Sequence, residues 1–406
     1  MLGIRPSGYL ELNIHTRPTP PKGITSLQVP FFKSSIDEDD IARVVAVLRT
    51  NFLTTGPVTA EFEEELARYC KVTNAIGVMS CTAAMHLCLV ALGIGPGDEV
   101  ITTPMSFVAT ANVICHTGAR PVFVDVEPDT GNIDAARIEA AITGRTKAIL
   151  PVHLYGQMVD MPAIAAIADH HHLHVIEDAA HAIEAGRDGY RIASRSRAAC
   201  VSFYATKNIT AGEGGAIVTN DDDLAAELKR LRLHGMNADA ADRYTGTYRH
   251  YDVPEAGWKC NLSNIQAAIV LGQLRRIDDL LARRTAAYDH YADAFAGQPG
   301  LTLTAGRAAS RRACHVFTIQ VDPDIRDRFL HGLQQRGIGV AVNFRPIHLM
   351  AYYRRTFGHS EGAFPNAEQI GASTISLPLH PSLTTEERSA VIDAVLATRD
   401  ELTGAA

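Results

Sequence analysis

The 406-residue chain has little of what marks several common classes of protein. It carries no basic run, and its 45 acidic residues outnumber its 38 lysines and arginines, which argues against nucleic acid as the main partner. No apolar run reaches the roughly 18 residues that a bilayer-spanning helix needs. The first residues also lack the pattern of a signal peptide. We therefore expect a cytoplasmic protein whose partners are neither membranes nor nucleic acids.

Cysteine is also scarce and follows no pattern. The seven cysteines are odd in number and include no Cys-x-x-Cys, so we expect reduced thiols rather than a disulfide framework. Histidine clusters only in the run His170–His172 followed by His174. Consecutive helical residues point in different directions and cannot all reach one ion, so we expect no metal site.

Helix-like and strand-like segments alternate along most of the chain, which is typical of an α/β domain with a mostly parallel sheet. Ligands bind such sheets at the carboxyl ends of the strands. The pattern predicts helices over 134–142 and 262–294, and from about residue 296 it becomes that of a smaller α+β domain. The predicted units are a flexible N-terminal extension over 1–28, a large domain over 29–280 and a small C-terminal domain over 281–406.

Two side chains at the ends of predicted strands have the chemistry that pyridoxal phosphate (PLP) requires. Lys207 lies in a glycine-rich strand-to-loop turn, and Asp178 ends the apolar run that begins at Val175. A lysine amine forms a Schiff base with the PLP aldehyde, and a carboxylate keeps the pyridine nitrogen protonated so that the ring can accept electrons. Glu177 and Asp178 point to opposite faces of a strand, so only one can face the cofactor, and we choose Asp178.

Three further residues each have two interpretations when taken alone. Thr82 lies where a strand meets a helix, so its hydroxyl and the free backbone N–H groups there either bind a phosphate or belong to an ordinary helix cap. Phe107 follows a strand and either stacks on a pyridine ring or belongs to the core. His181 either lies beside the cofactor's phenolic oxygen or is a structural histidine.

Many short motifs occur in the order in which one known family has them. Over about residues 30–400 the chain resembles the DegT/DnrJ/EryC1/StrS family of PLP-dependent sugar aminotransferases, which have the aspartate aminotransferase fold (PLP fold type I). The motifs that carry the resemblance include Ser80–His86, Ala91–Val100, Pro151–Gly156, Ile176–His181, Ser202–Asn208 and Ser376–Leu379.

The resemblance implies PLP as the cofactor and a role for each residue around it. Lys207 would be the Schiff-base lysine and the proton shuttle, and Asp178 would pair with the pyridine nitrogen. The other implied contacts are Phe107 on the ring, Thr82, the Ala83 amide and Ser202 at the phosphate, and His181 near the 3-oxygen.

The segment Gly257–Ser263 resembles the part of the family that reaches across a dimer to the neighbour's phosphate. Lys259 and Asn261 are the candidates for that contact. The resemblance therefore implies a homodimer whose two active sites lie at the interface. The form of this segment is most similar to the branch that includes the UDP-4-keto-pentose 4-aminotransferases of lipid A modification.

The resemblance also implies the reaction. We expect transfer of an amino group from L-glutamate, or L-glutamine, to the keto group of a nucleotide-linked (4-)keto sugar in the biosynthesis of an amino sugar. The alternatives are an aminotransferase for a ketocyclitol and a non-enzymatic regulator that keeps the fold. The candidate substrate contacts are Tyr155, Gln157, Asn343 and His348, of which Asn343 replaces a histidine that is common in the family.

Overall fold

The computed structural model describes residues 27–237 and 250–404. The predicted extension over 1–28 therefore lies outside the described residues, apart from its last two positions. Within the described residues, no helix is both long and apolar enough to cross a membrane.

The described residues form strands and helices that alternate through the first half of the chain. The strands are β1 (Asn74–Val78), β2 (Glu99–Thr102), β3 (Arg120–Phe123), β4 (Thr146–Leu150), β5 (His174–Asp178), β6 (Gly186–Arg187), β7 (Tyr190–Arg191), β8 (Ala198–Ser202), β9 (Gly215–Thr219), β10 (Thr302–Leu303), β11 (Ser310–Arg311), β12 (Phe317–Gln320) and β13 (Thr374–Leu377). The α-helices are α1 (Glu38–Leu48), α2 (Pro57–Cys70), α3 (Cys81–Ala91), α4 (Ala109–His116), α5 (Met161–His171), α6 (Asp222–Leu231), α7 (Asn264–Arg275), α8 (Ile277–Phe295), α9 (Arg326–Gln335), α10 (Ala351–Phe357), α11 (Pro365–Ser373) and α12 (Thr385–Thr403).

A seven-stranded sheet with the order β1-β9-β8-β5-β4-β2-β3 forms the centre of the molecule. The pairs from β8 to β3 are parallel, whereas β9 runs antiparallel to both of its neighbours. Because β1 and β8 are both antiparallel to β9, they run in the same direction. The carboxyl ends of six strands therefore lie at one edge of the sheet, where a parallel sheet binds its ligands.

Helices cover both faces of this sheet. Neighbouring strand residues enter opposite layers, since side chains alternate along a strand. Ile149 packs into the layer that α2 and α5 cover, and Leu150 packs into the layer that α3, α4 and α6 cover. Both residues are fully buried, which explains why the strand sequences are almost wholly apolar.

A second, smaller sheet is formed by β10, β12 and β13, which pair antiparallel. Its core includes residues from α8, α9 and α12 and also Val29, near the other end of the chain. The Val29 N–H donates to the Gly337 carbonyl at 2.9 Å, and the Gly339 N–H donates to the Val29 carbonyl at 2.8 Å. The predicted boundary between 280 and 281 falls inside α8, where Leu280 packs into the core of the large sheet and Leu281 into that of the small one. The boundary itself stays a prediction.

Two predicted helices differ from those in the structure. The segment predicted as a helix over 134–142 forms two short 3₁₀ turns, Ala135–Arg137 and Glu139–Ala141, because a segment this short gains little from completing α-helical turns. The helix predicted over 262–294 is broken at Arg276, whose backbone has φ −112° and ψ 20°. The Arg276 guanidinium donates to the Asp40 carboxylate at 2.5 Å and to the Ser35 carbonyl at 2.7 Å, so contacts with α1 and with the segment before it hold the residue at the break.

Candidate active site

A cavity of about 620 Å³ lies at the carboxyl edge of the central sheet. Residues that follow β1, β2, β5 and β8 line one side of it, and residues from the C-terminal part of the chain line the other. The structure brings together seven of the residues predicted from the sequence, which line this cavity: Thr82, Phe107, Asp178, His181, Ser202, Lys207 and Asn343.

Asp178 is the last residue of β5 and is only 5% exposed. Its Oδ2 accepts a hydrogen bond from the Thr110 hydroxyl at 2.8 Å, and its Oδ1 accepts one from the Ala180 N–H at 3.1 Å. Burial raises the pKa of Asp178 above its ordinary value, although both donors and the nearby Lys207 oppose the rise. A buried carboxylate in this state is stabilised by a cation, such as a protonated ring nitrogen.

Glu177 points to the opposite face of β5, as the alternation of side chains predicts. Its carboxylate lies 2.6 Å from His153 Nε2 and accepts a hydrogen bond from the Ala193 N–H at 2.9 Å. Glu177 is fully buried and does not line the cavity. Of the two neighbouring acidic residues, only Asp178 faces the cavity.

Lys207 lies in the loop between β8 and β9. Its backbone N–H donates to the Tyr204 carbonyl at 2.9 Å and closes a turn, while its Nζ donates no hydrogen bond to a residue that the structure describes. Burial lowers the pKa of Lys207 to about 8, against the opposing effect of Asp178. At neutral pH, part of this amine is therefore unprotonated, which is the form that attacks an aldehyde.

The N-terminus of α3 provides an anion site at the end of the cavity. Ser80 caps the helix, and its Oγ accepts the Ala83 N–H at 3.1 Å. Within residues 27–237 and 250–404, the N–H groups of Cys81 and Thr82 have no hydrogen-bond acceptor. Two free N–H groups at the positive end of a helix favour a phosphate. The hydroxyls of Thr82 and Ser202 belong to residues that line the same cavity.

Gly215, the first residue of β9, lets the strand approach this helix start. A Cβ at Gly215 would lie 2.5 Å from the Cys81 nitrogen and 2.8 Å from the Ser80 carbonyl oxygen. Such contacts are with backbone atoms, which cannot rotate away. Only glycine therefore allows β9 and the loop before α3 to pack this closely.

Aromatic side chains form part of the cavity wall. Phe107, between β2 and α4, is 61% exposed, which is unusual for a phenylalanine and leaves its ring available to a flat ligand. Its centroid lies 6.2 Å from that of Phe344, with the rings tilted by 52°. Phe344 also lines the cavity.

Two stacked histidines complete the wall. The rings of His181 and His315 are 4.2 Å apart at an interplanar angle of 26°. His181 Nδ1 accepts the Tyr155 N–H at 3.3 Å, and His315 Nδ1 lies 2.9 Å from Asn208 Oδ1. Burial lowers the pKa of both histidines well below the usual range, and the nearby charge of Lys207 lowers it further. Both are therefore neutral at pH 7.

Three predicted substrate residues do not line the cavity. The Tyr155 hydroxyl donates to the Asn343 carbonyl, and the buried Gln157 side chain has no hydrogen-bond partner among the described residues. His348 Nε2 lies 3.0 Å from a Glu368 carboxylate oxygen in a separate buried cluster. Of the four predicted substrate contacts, the structure places only Asn343 at the cavity.

Three predicted cofactor contacts also lie outside the cavity lining. The Ala83 N–H is already used by the helix cap, so its predicted role at the phosphate stays a prediction. Lys259 Nζ donates to Asn261 Oδ1, and Asn261 Nδ2 donates to Thr55 Oγ1 at 2.6 Å. Asn261 also pairs with Val78 at the end of β1.

Two residues of the site were missed from the sequence. Thr110 holds Asp178 from the first turn of α4. A weak signal for it exists in the four-residue spacing of Thr110 from Ser106, which precedes the helix; the two hydroxyls lie 2.8 Å apart. His315 comes from the C-terminal part of the chain, and a single histidine before a short strand gives no sequence signal for a position beside Lys207.

The side chains present fit PLP. The cavity offers a buried carboxylate for the ring nitrogen and an exposed aromatic face. It also offers an amine, and N–H groups for the phosphate, that have no hydrogen-bond partner in the described part of the chain. Lys207, Asp178, Phe107 and Thr82 supply these features on four different elements. When bound, PLP provides a reactive aldehyde and an electron-accepting ring.

Comparison with known proteins agrees with this geometry. The sequence model of the DegT/DnrJ/EryC1/StrS aminotransferase family matches residues 34–396. The chain belongs to this family. Its members that resemble the chain in sequence include spore coat polysaccharide biosynthesis protein SpsC of Bacillus subtilis, which is 43% identical over 93% of the chain and 98% of its own length. They also include the UDP-4-amino-4-deoxy-L-arabinose–oxoglutarate aminotransferase of Shewanella sediminis, which is 40% identical over 90% of the chain and 97% of its own length.

Solved structures of similar proteins have the same fold. DesV of S. venezuelae superimposes with a TM-score of 0.81 at 37% identity, covering 88% of the chain and 93% of DesV. Spr1654 of Streptococcus pneumoniae in its PLP-form gives 0.87 at 30% identity, covering 93% of the chain and all of that protein. The protein is thus a PLP-dependent sugar aminotransferase of amino sugar biosynthesis. The predicted fold type I, enzyme class and cofactor are confirmed.

Proposed function

We propose that this aminotransferase transfers the amino group of L-glutamate to the keto group of a nucleotide-linked 4-keto sugar. The observation that carries the proposal is the placement of the Lys207 amine and the Asp178 carboxylate in one cavity with the free N–H groups of α3. The name of the Shewanella sediminis relative supports the finer points, since it pairs a UDP-linked amino sugar with oxoglutarate, the product that glutamate leaves.

The residues of the chain divide the work between holding the cofactor and moving protons. Thr82 and Ser202 would hold the phosphate, Phe107 would cover the ring, and Asp178 would keep the ring nitrogen protonated, so that the bound cofactor could accept electrons. Lys207 Nζ takes a proton from Cα of the donor in one half of the reaction. In the other half it delivers a proton to the former carbonyl carbon of the sugar.

The low pKa of Lys207, about 8, suits both tasks. A proton carrier works best when its pKa lies near the working pH, because both of its forms are then populated. Burial of the amine is the cause of this low pKa.

A visible absorption spectrum of the PLP-loaded protein, recorded before and after L-glutamate, tests the first half of the reaction. We expect the yellow band to bleach and then to recover when a UDP-linked 4-keto sugar is added. Lys207→Ala should lack the yellow band, whereas Lys229→Ala, on α6, should behave like the wild type. Bleaching by L-glutamine but not by L-glutamate would show that glutamine is the amino donor. Recovery of the band with a ketocyclitol but with no nucleotide sugar would show that a ketocyclitol is the acceptor.

We also propose that the active protein is a homodimer in which Lys259 and Asn261 complete the partner's site. Both side chains lie outside the cavity of their own chain, although the segment that carries them pairs with the end of β1. Mixing Lys207→Ala with Lys259→Ala tests this, because a mixed dimer then has one intact site. We expect the mixture to regain activity that neither variant shows alone, and a failure to regain it would argue for self-contained sites.

A further inference from the structure

Asn208 fixes which nitrogen of His315 carries the proton. The Asn208 amide nitrogen donates to the Ala313 carbonyl and to a Glu184 carboxylate oxygen, both at 2.8 Å. Since a carbonyl and a carboxylate only accept, the amide oxygen must be the atom that faces His315 Nδ1 at 2.9 Å. Nδ1 of His315 therefore carries the hydrogen, and Nε2 of the neutral ring has a free lone pair.

His181 has the opposite arrangement. Its Nδ1 accepts the backbone N–H of Tyr155, so the hydrogen of the neutral ring must lie on Nε2. The two stacked rings thus present one donor, Nε2–H of His181, and one acceptor, Nε2 of His315. Neither Nε2 has a hydrogen-bond partner among the described residues.

The acceptor arrangement of His315 has a rigid support. A carboxylate oxygen of Glu184 accepts from Arg284 Nη2, and Arg284 Nη1 donates to the Asn208 carbonyl at 3.2 Å. Glu184 is fully buried and Arg284 is 1% exposed. The backbone of Asn208, which directly follows Lys207, is held by the same arginine. Buried hydrogen-bond networks of this kind hold a side chain in one orientation.

Lys207 lies near this acceptor. Lys207 and His315 line the same cavity, and they also line a smaller neighbouring one. The charge of Lys207 acts on both histidines, yet its Nζ donates no hydrogen bond to a described residue. An acceptor with a fixed lone pair and a donor without a partner therefore lie in one enclosure.

We propose that His315 is a positioning residue for Lys207, whose amine donates a hydrogen bond to His315 Nε2 whenever it is not bonded to PLP. This contact keeps the amine at the cavity wall rather than against Asp178. In this position the Lys207 amine would face both the PLP aldehyde carbon and the substrate. The inference rests on the PLP chemistry of the family and does not depend on which sugar or donor is used.

The rate at which Lys207 captures PLP measures this role without any substrate. Apo-protein is mixed with PLP, and the growth of the yellow band is followed. In His315→Asn the side-chain amide lies near the position of Nδ1 and no acceptor remains at Nε2, so we expect capture to slow about two- to tenfold, as for the loss of a hydrogen bond between neutral groups. In His315→Gln an acceptor lies near Nε2, and we expect most of the rate to return.

Non-covalent binding separates positioning from a general structural defect. In the Lys207→Ala background, His315→Asn should bind PLP with unchanged affinity, because His315 acts only on the lysine. His331→Asn, on the exposed face of α9, is the matched surface control. If His315→Asn fails to melt like the wild type, His315→Phe answers the same question, since it keeps the ring stacked on His181.

The outcomes are distinct. Wild-type capture in His315→Asn, or capture in His315→Gln as slow as in His315→Asn, would overturn the proposal. A failure of the glutamate or nucleotide-sugar assignment would leave these rates unchanged, because neither substrate is present in the assay.

Discussion

The hydroxyl of Thr110 is the donor whose removal tests the site most directly. It donates to Asp178 Oδ2 at 2.8 Å inside a buried environment. Thr110→Val keeps the shape of the side chain and removes only the donor. A hydrogen bond to a charged group contributes roughly 1.5–3 kcal/mol. If Asp178 must be ionised to hold the ring nitrogen, PLP affinity falls about 10- to 100-fold.

The change also has a signature in pH. Burial already raises the pKa of Asp178, and Thr110 opposes that rise, so Thr110→Val raises this pKa further. The carboxylate is ionised above its pKa, and the affinity that depends on it is lost as the pH falls through that value. In Thr110→Val the loss should therefore begin at a higher pH than in the wild type.

Equilibrium binding of PLP across a pH series, measured in the Lys207→Ala background, is the assay. This background removes the covalent link, so the affinity reports the contacts of the ring and the phosphate. Thr110→Ser keeps the hydroxyl and should bind nearly as well as threonine. The reasoning fails if Thr110→Val binds PLP like threonine at every pH, or if Thr110→Ser is as weak as Thr110→Val.

Three other predictions follow from the packing and the charges. Gly215→Ala should lower the free energy of unfolding by roughly 1–3 kcal/mol and weaken PLP binding, because its Cβ would lie 2.5 Å from backbone atoms. The control Gly144→Ala, with open space around its Cβ, should change neither the unfolding free energy nor the PLP affinity. Arg284→Met should lower the free energy of unfolding in urea by about 3–5 kcal/mol, because it leaves the buried Glu184 without its cationic partner. The neighbouring substitution Arg283→Met, which removes only an exposed ion pair, should change the free energy of unfolding by less than about 0.5 kcal/mol. The capture of PLP by the apo-protein requires the neutral amine of Lys207, so its rate should rise with pH through a midpoint of about 8; a midpoint near that of free lysine would contradict the buried environment.

The sequence predicts the parts of the site that depend on local pattern. Thr82, Asp178 and Lys207 all follow strands, and the carboxyl ends of parallel strands meet at one edge, so their convergence follows from the alternation of elements. The choice of Asp178 over Glu177 rests on the two-residue period of a strand. These inferences need no knowledge of contacts between distant segments.

The parts that the sequence does not predict depend on such distant contacts. His315 reaches the cavity through the packing of the C-terminal unit, and its tautomer depends on Asn208, more than a hundred positions earlier. The break at Arg276 is fixed by Asp40, on the first helix. Tyr155 and His348 follow motifs that suggest substrate contact, yet their side chains bond within the protein. The local sequence does not reveal which distant residue will be the hydrogen-bond partner of a buried polar side chain.

The pairing of Val29 with Gly337 and Gly339 has a consequence for how the chain folds as it is made. Val29 belongs to the core of the smaller sheet. Its partners Gly337 and Gly339 are synthesised about 300 residues later, which takes roughly 15–60 s at ordinary rates of synthesis. Phe31 and Phe32, next to Val29, line the active-site cavity. Removal of Val29–Phe32, or of the segment that holds Gly337 and Gly339, would therefore disturb the same cavity. A nascent chain would complete this cavity only after both segments have been synthesised.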